Sequence, residues 1–264
     1  MRTLRRSLRR RALPREPRVS MALPDSDDGA RARDPRESSA LRADVALRGG
    51  SASHGPDAAL PAAQTRAFVS RGGIKLEHAL REFKIDPTGL ICSDLGCSTG
   101  GFTDCLLRHG AAKVYAVDTA YGELAWTLRK DARVVVMERQ NALHAPAPEM
   151  VQLVVCDLSW TPQRLVIPAA KRWLKPGGTI ITLIKPHYEH KDRGGQVPRG
   201  GVLDAETAEH ATQETAALIA TLGVKVLGLT KSPILGTGGK AGAAKTGIGK
   251  GNAEWLAWCG DGVG

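Results

Sequence analysis

Long hydrophobic runs and aromatic residues are scarce in this 264-residue chain. No apolar stretch approaches the roughly 20 residues needed to span a bilayer, and no hydrophobic segment of the secretory type follows the N-terminal arginines. Aromatic residues make up 4% of the chain, so few side chains are suited to anchoring it at a membrane interface. These absences argue against a membrane-spanning or membrane-damaging protein, and we expect a soluble, cytoplasmic one.

Paired cysteines are also missing, because the five cysteines include no C-x-x-C pair and their number is odd. A disulfide framework or a structural zinc site needs cysteines in pairs or clusters. Most of these cysteines lie inside apolar runs, which predicts small core residues in a reducing compartment. They are Cys92, Cys97, Cys105, Cys156 and Cys259.

Lysine is absent from residues 1–66, which hold 14 arginines, 8 acidic residues and no sustained apolar periodicity. This segment therefore carries +6 of the net charge of +10. We predict that residues 1–66 are a disordered tail rich in Arg, Pro and Ala, and that residues 67–264 form one domain.

Several roles for this tail stay open. A basic arm can bind nucleic acid or another anionic surface, but a solvated linker has the same composition. Translation could also start at Met21. The Arg-rich beginning loosely resembles an organelle transit peptide, although Glu16 and the repeated prolines weaken that interpretation.

A glycine-rich turn at residues 94–102, DLGCSTGGF, follows the apolar run Leu90-Ile91-Cys92 and precedes a predicted helix over 103–109. A strand that turns through glycines into a helix brings its backbone close to a ligand. The spacing G-x-x-x-G-G lacks the lysine of a triphosphate loop and is not the dinucleotide pattern G-x-G-x-x-G. An ordinary Gly-rich turn would look similar.

Asp118 follows the next strand-like run, residues 113–117, where a carboxylate can accept the two hydroxyls of a ribose. The combination of this turn and this carboxylate suits S-adenosylmethionine, which has an adenosine and a sulfonium but no pyrophosphate. The sequence therefore predicts a nucleotide-type cofactor site.

Short apolar runs alternate with helix-like segments, which predicts an α/β fold with a mostly parallel sheet covered on both faces. An amphipathic helix over 73–83 buries Leu76, Ala79, Leu80 and Phe83. Predicted strands lie near 90–94, 113–118, 134–137, 153–158, 179–184, 224–230 and 254–258.

Capping signals set the predicted elements of the second half. Thr161-Pro162 predicts an N-cap followed by Pro at the first helical position, and residues 175–178 (KPGG) predict the turn that ends that helix. Residues 187–202 are predicted to be a polar, Gly-rich loop. The next helix is predicted to begin after Asp204 and stop at Gly223, with a buried stripe of Ala208, Ala211, Thr215, Leu218 and Leu222.

Ligands in such sheets bind beyond the carboxyl ends of the strands, where this chain has Asp94, Asp118, Asn141, Asp157 and Lys185. Asn141 has the chemistry to recognise an adenine amino group, but an Asn in a loop is more often a turn residue. Asp157 and Lys185 end neighbouring predicted strands and should meet, either as site residues or as a structural salt bridge.

Six motifs occur in an order that resembles the TlyA family of FtsJ-like ribosomal RNA 2′-O-methyltransferases, also called haemolysin A. The resemblance runs from about Phe68 to Trp258. It implies a class I S-adenosylmethionine-dependent methyltransferase fold, Rossmann-like, with seven strands of which the last is antiparallel. The motifs are SRGGIKL, DLGCSTGGFTD, AVDTAYGELAW, CDLSW, LIKPHYE and GNAEWL.

The resemblance also implies which residues act. Its Lys-Asp-Lys-Glu catalytic tetrad falls on Lys75, Asp157, Lys185 and Glu254. Its contacts to the cofactor S-adenosylmethionine fall on Gly96, Gly100, Phe102, Asp118, Asn141 and Asp157. No metal is required, and the implied partner is RNA, either ribosomal RNA or a ribosomal subunit.

The residue types fit methylation of a ribose hydroxyl, a weak nucleophile that has to be aligned and deprotonated. Lys185 is our candidate for the general base, or for a cation that eases loss of the proton, with Asp157 and Glu254 orienting the two lysines. A base N-methyltransferase would carry Asn/Asp-Pro-Pro-Tyr/Phe where this chain has DLSW, residues 157–160.

Two departures from the family pattern affect substrate choice. Residues 1–66 show no sign of the S4-type RNA-binding domain that usually precedes the family's catalytic domain. Residues 232–252 form a Gly/Lys-rich stretch that is usually shorter in the family; it could grip an RNA backbone or be a solvated insertion.

Other functions compete with this one. A nicotinamide-dependent oxidoreductase could use the same sheet and Asp118, but the dinucleotide glycine pattern is missing. An S-adenosylmethionine-binding and RNA-binding protein without methylation activity, or a haemolysin-like protein, would share most of the motifs.

The Gly/Lys-rich stretch yields a first prediction. If Lys240, Lys245 and Lys250 contact phosphates, deleting residues 237–250 should make the slope of log affinity for RNA against log salt shallower by about 2 to 3. Replacing the three lysines by serine keeps the length and should have the same effect. An unchanged slope would identify a solvated insertion.

Overall fold

Seven strands build the sheet of the computed structural model, which describes residues 67–236 and 251–260. The predicted disordered tail 1–66 and most of the Gly/Lys-rich stretch lie outside the described residues. In chain order, the strands are β1 Ile91–Leu95, β2 Lys113–Val117, β3 Val134–Met137, β4 Val151–Cys156, β5 Leu174–Ile184, β6 Lys225–Lys231 and β7 Trp255–Gly260.

The strand order is β3-β2-β1-β4-β5-β7-β6. β1 to β5 run parallel, whereas β7 is antiparallel to both of its neighbours, β5 and β6. The strand order changes direction between β1 and β4, since β2 and β3 extend the sheet to one side of β1 whereas β4 and β5 extend it to the other. In open α/β sheets, ligands bind in the crevice at such a point, at the carboxyl ends of the two strands. The seven-stranded sheet with an antiparallel last strand confirms the predicted fold class.

Helices cover both faces of this sheet. They are α1 Gly72–Phe83, α2 Gly101–Arg108, α3 Trp126–Arg129, α4 Gln163–Lys171, α5 Pro186–Asp192 and α6 Ala205–Ala220. Residues of α1, α2 and α3 bury one face in a core that includes Leu76, Leu106 and Leu128. Residues of α4 and α6 bury the other face, with Ile167 and Ile219 fully enclosed. Central strands with both faces buried explain the continuous apolar runs in the sequence.

Three local predictions for the second half of the chain differ from the structure. The predicted loop 187–202 contains α5, a helix that begins with Pro186 at its first position and is too short to show an apolar period. Pro162 is itself the N-cap of α4, one residue later than predicted. The KPGG segment lies within the bounds of β5, where the register against β4 jumps between Val151 and Leu153.

α6 confirms its predicted N-cap and shifts its predicted stripe. The Asp204 side chain accepts the Thr207 N–H at 2.8 Å. Ala208, Ala211 and Thr215 are buried as expected, but Ile219 takes the core position predicted for Leu218, which is only partly buried. Ile219 lies 11 positions after Ala208, about three full turns at 3.6 residues per turn, and therefore stays on the buried side of the helix.

All five cysteines are buried and free. Burial raises the pKa of the Cys92 and Cys259 thiols to about 12. None of the helices in the described ranges is long and apolar enough to cross a membrane.

The cap of α6 yields a stability prediction. Asp204→Ala leaves one N–H of the first turn without its acceptor and should lower the free energy of unfolding by about 1 kcal/mol. Urea unfolding at pH 7 measures the change. Glu209→Ala, at an exposed position in the middle of the same helix, is the matched control and should change stability by less than about 0.5 kcal/mol. Equal effects of the two substitutions would contradict the capping role.

Candidate active site

A cavity of ≈ 500 Å³ opens at the carboxyl edge of the sheet, between the glycine turn and the start of α1. All four tetrad residues predicted from the resemblance line it, as do residues of the glycine turn and Leu235. The fold thus brings together Lys75, Asp157, Lys185 and Glu254, which are up to 179 positions apart in the sequence.

Two glycines of the glycine turn have positive φ and closely packed surroundings. Gly96 has φ +88°, and a Cβ there would lie 2.7 Å from the Asp157 carbonyl oxygen. Gly100, the N-cap of α2, has φ +99°, and its Cβ would lie 2.3 Å from Leu128. Side chains are therefore excluded on both sides of the turn. The turn passes directly over the end of β4, which leaves its backbone exposed to the cavity.

Asp118 holds the glycine turn from the end of the neighbouring strand β2. Its Oδ2 accepts the Ser98 N–H at 2.8 Å and its Oδ1 accepts the Ala120 N–H at 2.8 Å. The carboxylate is thereby fixed beside the turn, with further lone pairs available for a ligand hydroxyl.

Two short ion pairs dominate the charge distribution of the cavity. Lys75 Nζ lies 2.5 Å from Glu254 Oε2, and Lys185 Nζ lies 2.5 Å from Asp157 Oδ1. The side chains of Lys75 and Glu254 are 11% and 5% exposed, and those of Lys185 and Asp157 are 11% and 23% exposed. Each ammonium is largely removed from water and held by a carboxylate from another element.

Strand order explains why these four residues meet. Asp157 follows β4, Lys185 follows β5 and Glu254 precedes the antiparallel β7, so neighbouring strands bring three of them to one edge. Lys75 reaches the same edge from the first turn of α1, where the adjacent Leu76 is fully buried. Lys75 therefore lies on the buried side of α1.

Asp94 is a fully buried acid at the end of β1, beneath the glycine turn. Its Oδ2 accepts the Thr103 hydroxyl at 2.7 Å, and its Oδ1 has no hydrogen-bond partner among the described residues. Burial, followed by the charges of Asp157 and Asp118, raises the pKa of Asp94 to about 7, although the Thr103 hydrogen bond opposes the rise. Asp94 connects the turn to α2.

Not every predicted cofactor contact lines this cavity. Gly96 and Phe102 do, whereas Gly100 lies behind the turn and Asp118 beside it. Asn141 lies in the exposed turn after β3, where its Oδ1 accepts the Leu143 N–H at 2.9 Å. Its contact with the adenine stays a prediction.

Several residues that line the cavity were not among the predicted catalytic or cofactor-binding residues. Ser159 lines the cavity and accepts a hydrogen bond from Lys185 Nζ at 3.4 Å. Arg71 lines it too and donates to the Leu235 carbonyl at 2.7 Å. Arg71 belongs to the SRGGIKL motif and Ser159 to the CDLSW motif, but the sequence alone does not show that their side chains face the cavity.

A second cavity of ≈ 820 Å³ is lined by Trp160, His187 and Tyr188. Trp160 is 81% exposed and has φ +55°, an unusual conformation for a bulky residue. The His187 and Tyr188 rings lie 4.0 Å apart. Burial first, and then the charge of Lys185, lower the pKa of His187 to about 4, so its ring is neutral at pH 7. The chain passes from Ser159 in the first cavity to Trp160 in the second.

The two ends of the segment 237–250 are joined beside Glu254. The Gly236 N–H donates to the Asn252 carbonyl at 2.9 Å, and the Ser232 N–H donates to the Glu254 carbonyl at 2.8 Å. The described residues that flank the segment therefore lie close to Leu235 and Glu254, which line the cavity.

Metal-binding geometry is a separate question. In residues 67–236 and 251–260, no group of three or more His, Cys, Asp or Glu side chains is arranged to hold a metal ion.

Comparison with known proteins places this site in a family context. The family description "FtsJ-like methyltransferase" matches residues 68–241. The chain is 44% identical over 198 residues to the 16S/23S rRNA (cytidine-2′-O)-methyltransferase TlyA of Mycobacterium tuberculosis, covering 73% of this chain and 68% of TlyA. It is 38% identical over 199 residues to Hemolysin A of Brachyspira hyodysenteriae, covering 74% and 77%.

A solved structure is similar as well. The crystal structure of a candidate hemolysin from Lactococcus lactis superposes with a TM-score of 0.64 at 37% identity, covering 74% of this chain and 88% of that one. Fold and sequence agree over the same part of the chain.

Asp94 yields a pH-dependent prediction. Because its folded pKa of about 7 lies above the ordinary value near 4, the wild type loses stability as pH rises between these values. An asparagine does not titrate and keeps an oxygen for the Thr103 hydroxyl. The advantage of Asp94→Asn over wild type should therefore grow between pH 5 and pH 8, by roughly 2 to 4 kcal/mol at most.

Urea unfolding of the cofactor-free proteins at pH 5, 6, 7 and 8 measures this difference. Asp86→Asn is the control, since hydrogen bonds from Thr88 lower the pKa of this exposed carboxyl and no growing advantage is expected. A constant difference between Asp94→Asn and wild type would show that Asp94 does not titrate in this range.

Proposed function

Because the chain belongs to the FtsJ-like methyltransferase family, we propose that it transfers a methyl group from S-adenosylmethionine to a ribose 2′-hydroxyl of ribosomal RNA. The observation that carries this proposal is the convergence of two lysine–carboxylate ion pairs and the glycine turn on one cavity. The family supplies the reaction class, and the cavity supplies residues of the chemistry that the reaction needs. We assign the catalytic domain to residues 67–264.

The residues of the glycine turn fit the proposed cofactor. Gly96 and Phe102 line the cavity, Asp118 is fixed beside it, and Gly100 keeps the turn free of a side chain. The backbone of the turn would hold an adenosyl group, and the turn carries no lysine for a phosphate. Gly96, Gly100, Phe102, Asp118, Asn141 and Asp157 are the proposed contacts. When bound, S-adenosylmethionine supplies an electrophilic sulfonium methyl group.

The lysines act on the ribose hydroxyl. Lys185, held by Asp157, faces the cavity. As a neutral amine it would take the hydroxyl proton itself, whereas as an ammonium it would stabilise the oxygen while the proton leaves to water. Lys75 and Glu254 form the opposite wall and orient the sugar. Low exposure strengthens both effects, because charges interact more strongly where water is excluded.

RNA as the substrate is supported by the surroundings of the cavity. Arg71 lies at the mouth beside Lys75, where a phosphate next to the reacting sugar can bind. The exposed Trp160 ring and the aromatic cavity next to it suit stacking of a nucleobase. The M. tuberculosis relative is named for ribosomal cytidine 2′-O-methylation, and we extend ribosomal RNA, with a cytoplasmic location, to this chain.

The test is to incubate the protein with labelled S-adenosylmethionine and either purified 30S and 50S subunits or free ribosomal RNA, and then to map ribose methylation. Incorporation at a 2′-oxygen supports the proposal. Cofactor binding without transfer to any of these substrates would favour a non-catalytic RNA-binding role, and transfer to a base nitrogen would contradict the proposed chemistry.

Lys185 yields a sharper prediction. Lys185→Ala should lower kcat by at least about 100-fold while affinity for S-adenosylmethionine changes little, since its role concerns the hydroxyl. Arginine stays charged but cannot accept a proton, so Lys185→Arg separates a general base, for which activity is lost, from a stabilising cation, for which part is kept.

Lys175→Ala is the matched control, because Lys175 lies toward the opposite end of the same strand. Its turnover should equal that of wild type. Wild-type turnover by Lys185→Ala would remove Lys185 from the mechanism.

A further inference from the structure

Glu189 is a buried carboxylate that the proposed chemistry does not use. It is 2% exposed and lies on α5, one helical turn after Lys185. Burial raises the pKa of Glu189, against the effect of the hydrogen bond it accepts from the Gln163 backbone. A charged group buried at this cost needs a compensating contact, and that contact indicates its role.

The main contact of Glu189 is with the first residue of another helix. Its Oε1 accepts the Gln163 N–H at 2.8 Å. Pro162, the N-cap of α4, provides no side-chain acceptor for the first turn. Glu189 therefore serves as the cap of α4 from outside that helix, where a carboxylate also interacts favourably with the helix dipole.

This cap joins the same two segments that the Lys185–Asp157 ion pair joins. One segment runs from Asp157 at the end of β4 to Gln163, and the other runs from Lys185 at the end of β5 to Glu189. They meet at 2.5 Å through the ion pair and at 2.8 Å through the cap. The Glu189 N–H also donates to the Lys185 carbonyl at 3.3 Å. Two links close a ring around the loop that carries Ser159 and Trp160.

The second link is rigid because Gln163 is itself anchored to β5. Its Nε2 donates to the Leu183 carbonyl at 3.1 Å, and its Oε1 accepts the Thr182 hydroxyl at 2.8 Å. Gln163 is 3% exposed and Thr182 is fully buried. The strand that ends at Lys185 is thus fastened to the helix that follows Asp157.

Arg193 provides the opposing charge from the far side of Glu189. Its Nη1 lies 3.9 Å from Glu189 Oε2 and donates to the Thr215 hydroxyl at 3.1 Å. Its Nη2 lies 3.2 Å from Glu214, a partly exposed residue of α6. This outer contact is longer than the cap, so the cap fixes the position of the carboxylate.

We propose that Glu189 is a positioning residue, which sets the separation and orientation of Lys185 and Asp157 by capping α4. The expected effect on turnover rests on the proposed function, whereas the hydrogen bond that caps α4 can be tested without any activity. Displacement of a reacting group by about 1 Å can cost about 100-fold in rate, so a link one turn from Lys185 matters to turnover.

Three substitutions test this role. Glu189→Ala removes the acceptor, and Glu189→Asp keeps the charge but shortens the reach, so both should lower kcat by about 10- to 100-fold. The KM for RNA and the affinity for S-adenosylmethionine should stay within about 3-fold, because the cavity walls remain. Glu189→Gln keeps an oxygen for the Gln163 N–H and should retain kcat within about 3-fold. Glu214→Gln, which alters the other partner of Arg193, is the matched control and should match wild type.

Hydrogen exchange of the Gln163 amide, followed by NMR, gives a readout that needs no activity. Exchange should speed up in Glu189→Ala and Glu189→Asp and stay slow in Glu189→Gln and Glu214→Gln. If the wild type methylates no RNA, the proposed function fails while this measurement still tests the cap.

The positioning role is overturned by any of three results. These are unchanged kcat in Glu189→Asp, loss of activity in Glu189→Gln equal to that in Glu189→Asp, or a parallel loss of cofactor affinity that indicates general structural damage. Should Glu189→Ala not fold, Glu189→Asp and Glu189→Gln decide the question alone.

Discussion

The structure of the site depends on bringing two ammonium groups out of water beside one cavity. Such burial is tolerated because each lysine has a carboxylate 2.5 Å away, supplied by a different element. Buried ion pairs often stabilise a protein no more than apolar residues of the same size, since desolvation offsets the attraction. Two buried ion pairs at one edge of the sheet are therefore better explained by a chemical role of their side chains than by a contribution to the stability of the protein.

The glycine turn and the ion pairs constrain one another. Gly96 passes so close to the Asp157 carbonyl that a side chain would displace the segment carrying the Asp157 carboxylate. Asp118, beside the turn, accepts the Ser98 N–H, and Asp94, beneath it, accepts the Thr103 hydroxyl of α2, so two strands hold the turn and the helix that follows it. The residues proposed to bind the cofactor and those proposed to act on the proton thus share the ends of β1 and β4. We therefore expect a substitution in one of these two groups of residues to shift the other group through only a few backbone atoms.

Glu189 extends this dependence outside the cavity. Besides the partly exposed Arg164–Asp192 ion pair, the segments after β4 and β5 are joined where Lys185 meets Asp157 and Ser159. Capping α4 from α5 places a second link behind the first, among residues that are nearly inaccessible to water. Support of this kind is what positions a reacting side chain reproducibly.

The sequence by itself determined the fold class and most strands to within a few residues, because alternating apolar runs are local signals, and its ordered motifs pointed to four residues that the structure brings to one cavity. It could not determine α5, which is too short to show a period, or the inward direction of Arg71 and Ser159. Only the tertiary structure decided which acid pairs with which lysine and revealed that Glu189 caps α4. Those contacts join elements that strand order, not sequence spacing, makes neighbours, and a sequence pattern carries no direct record of strand order.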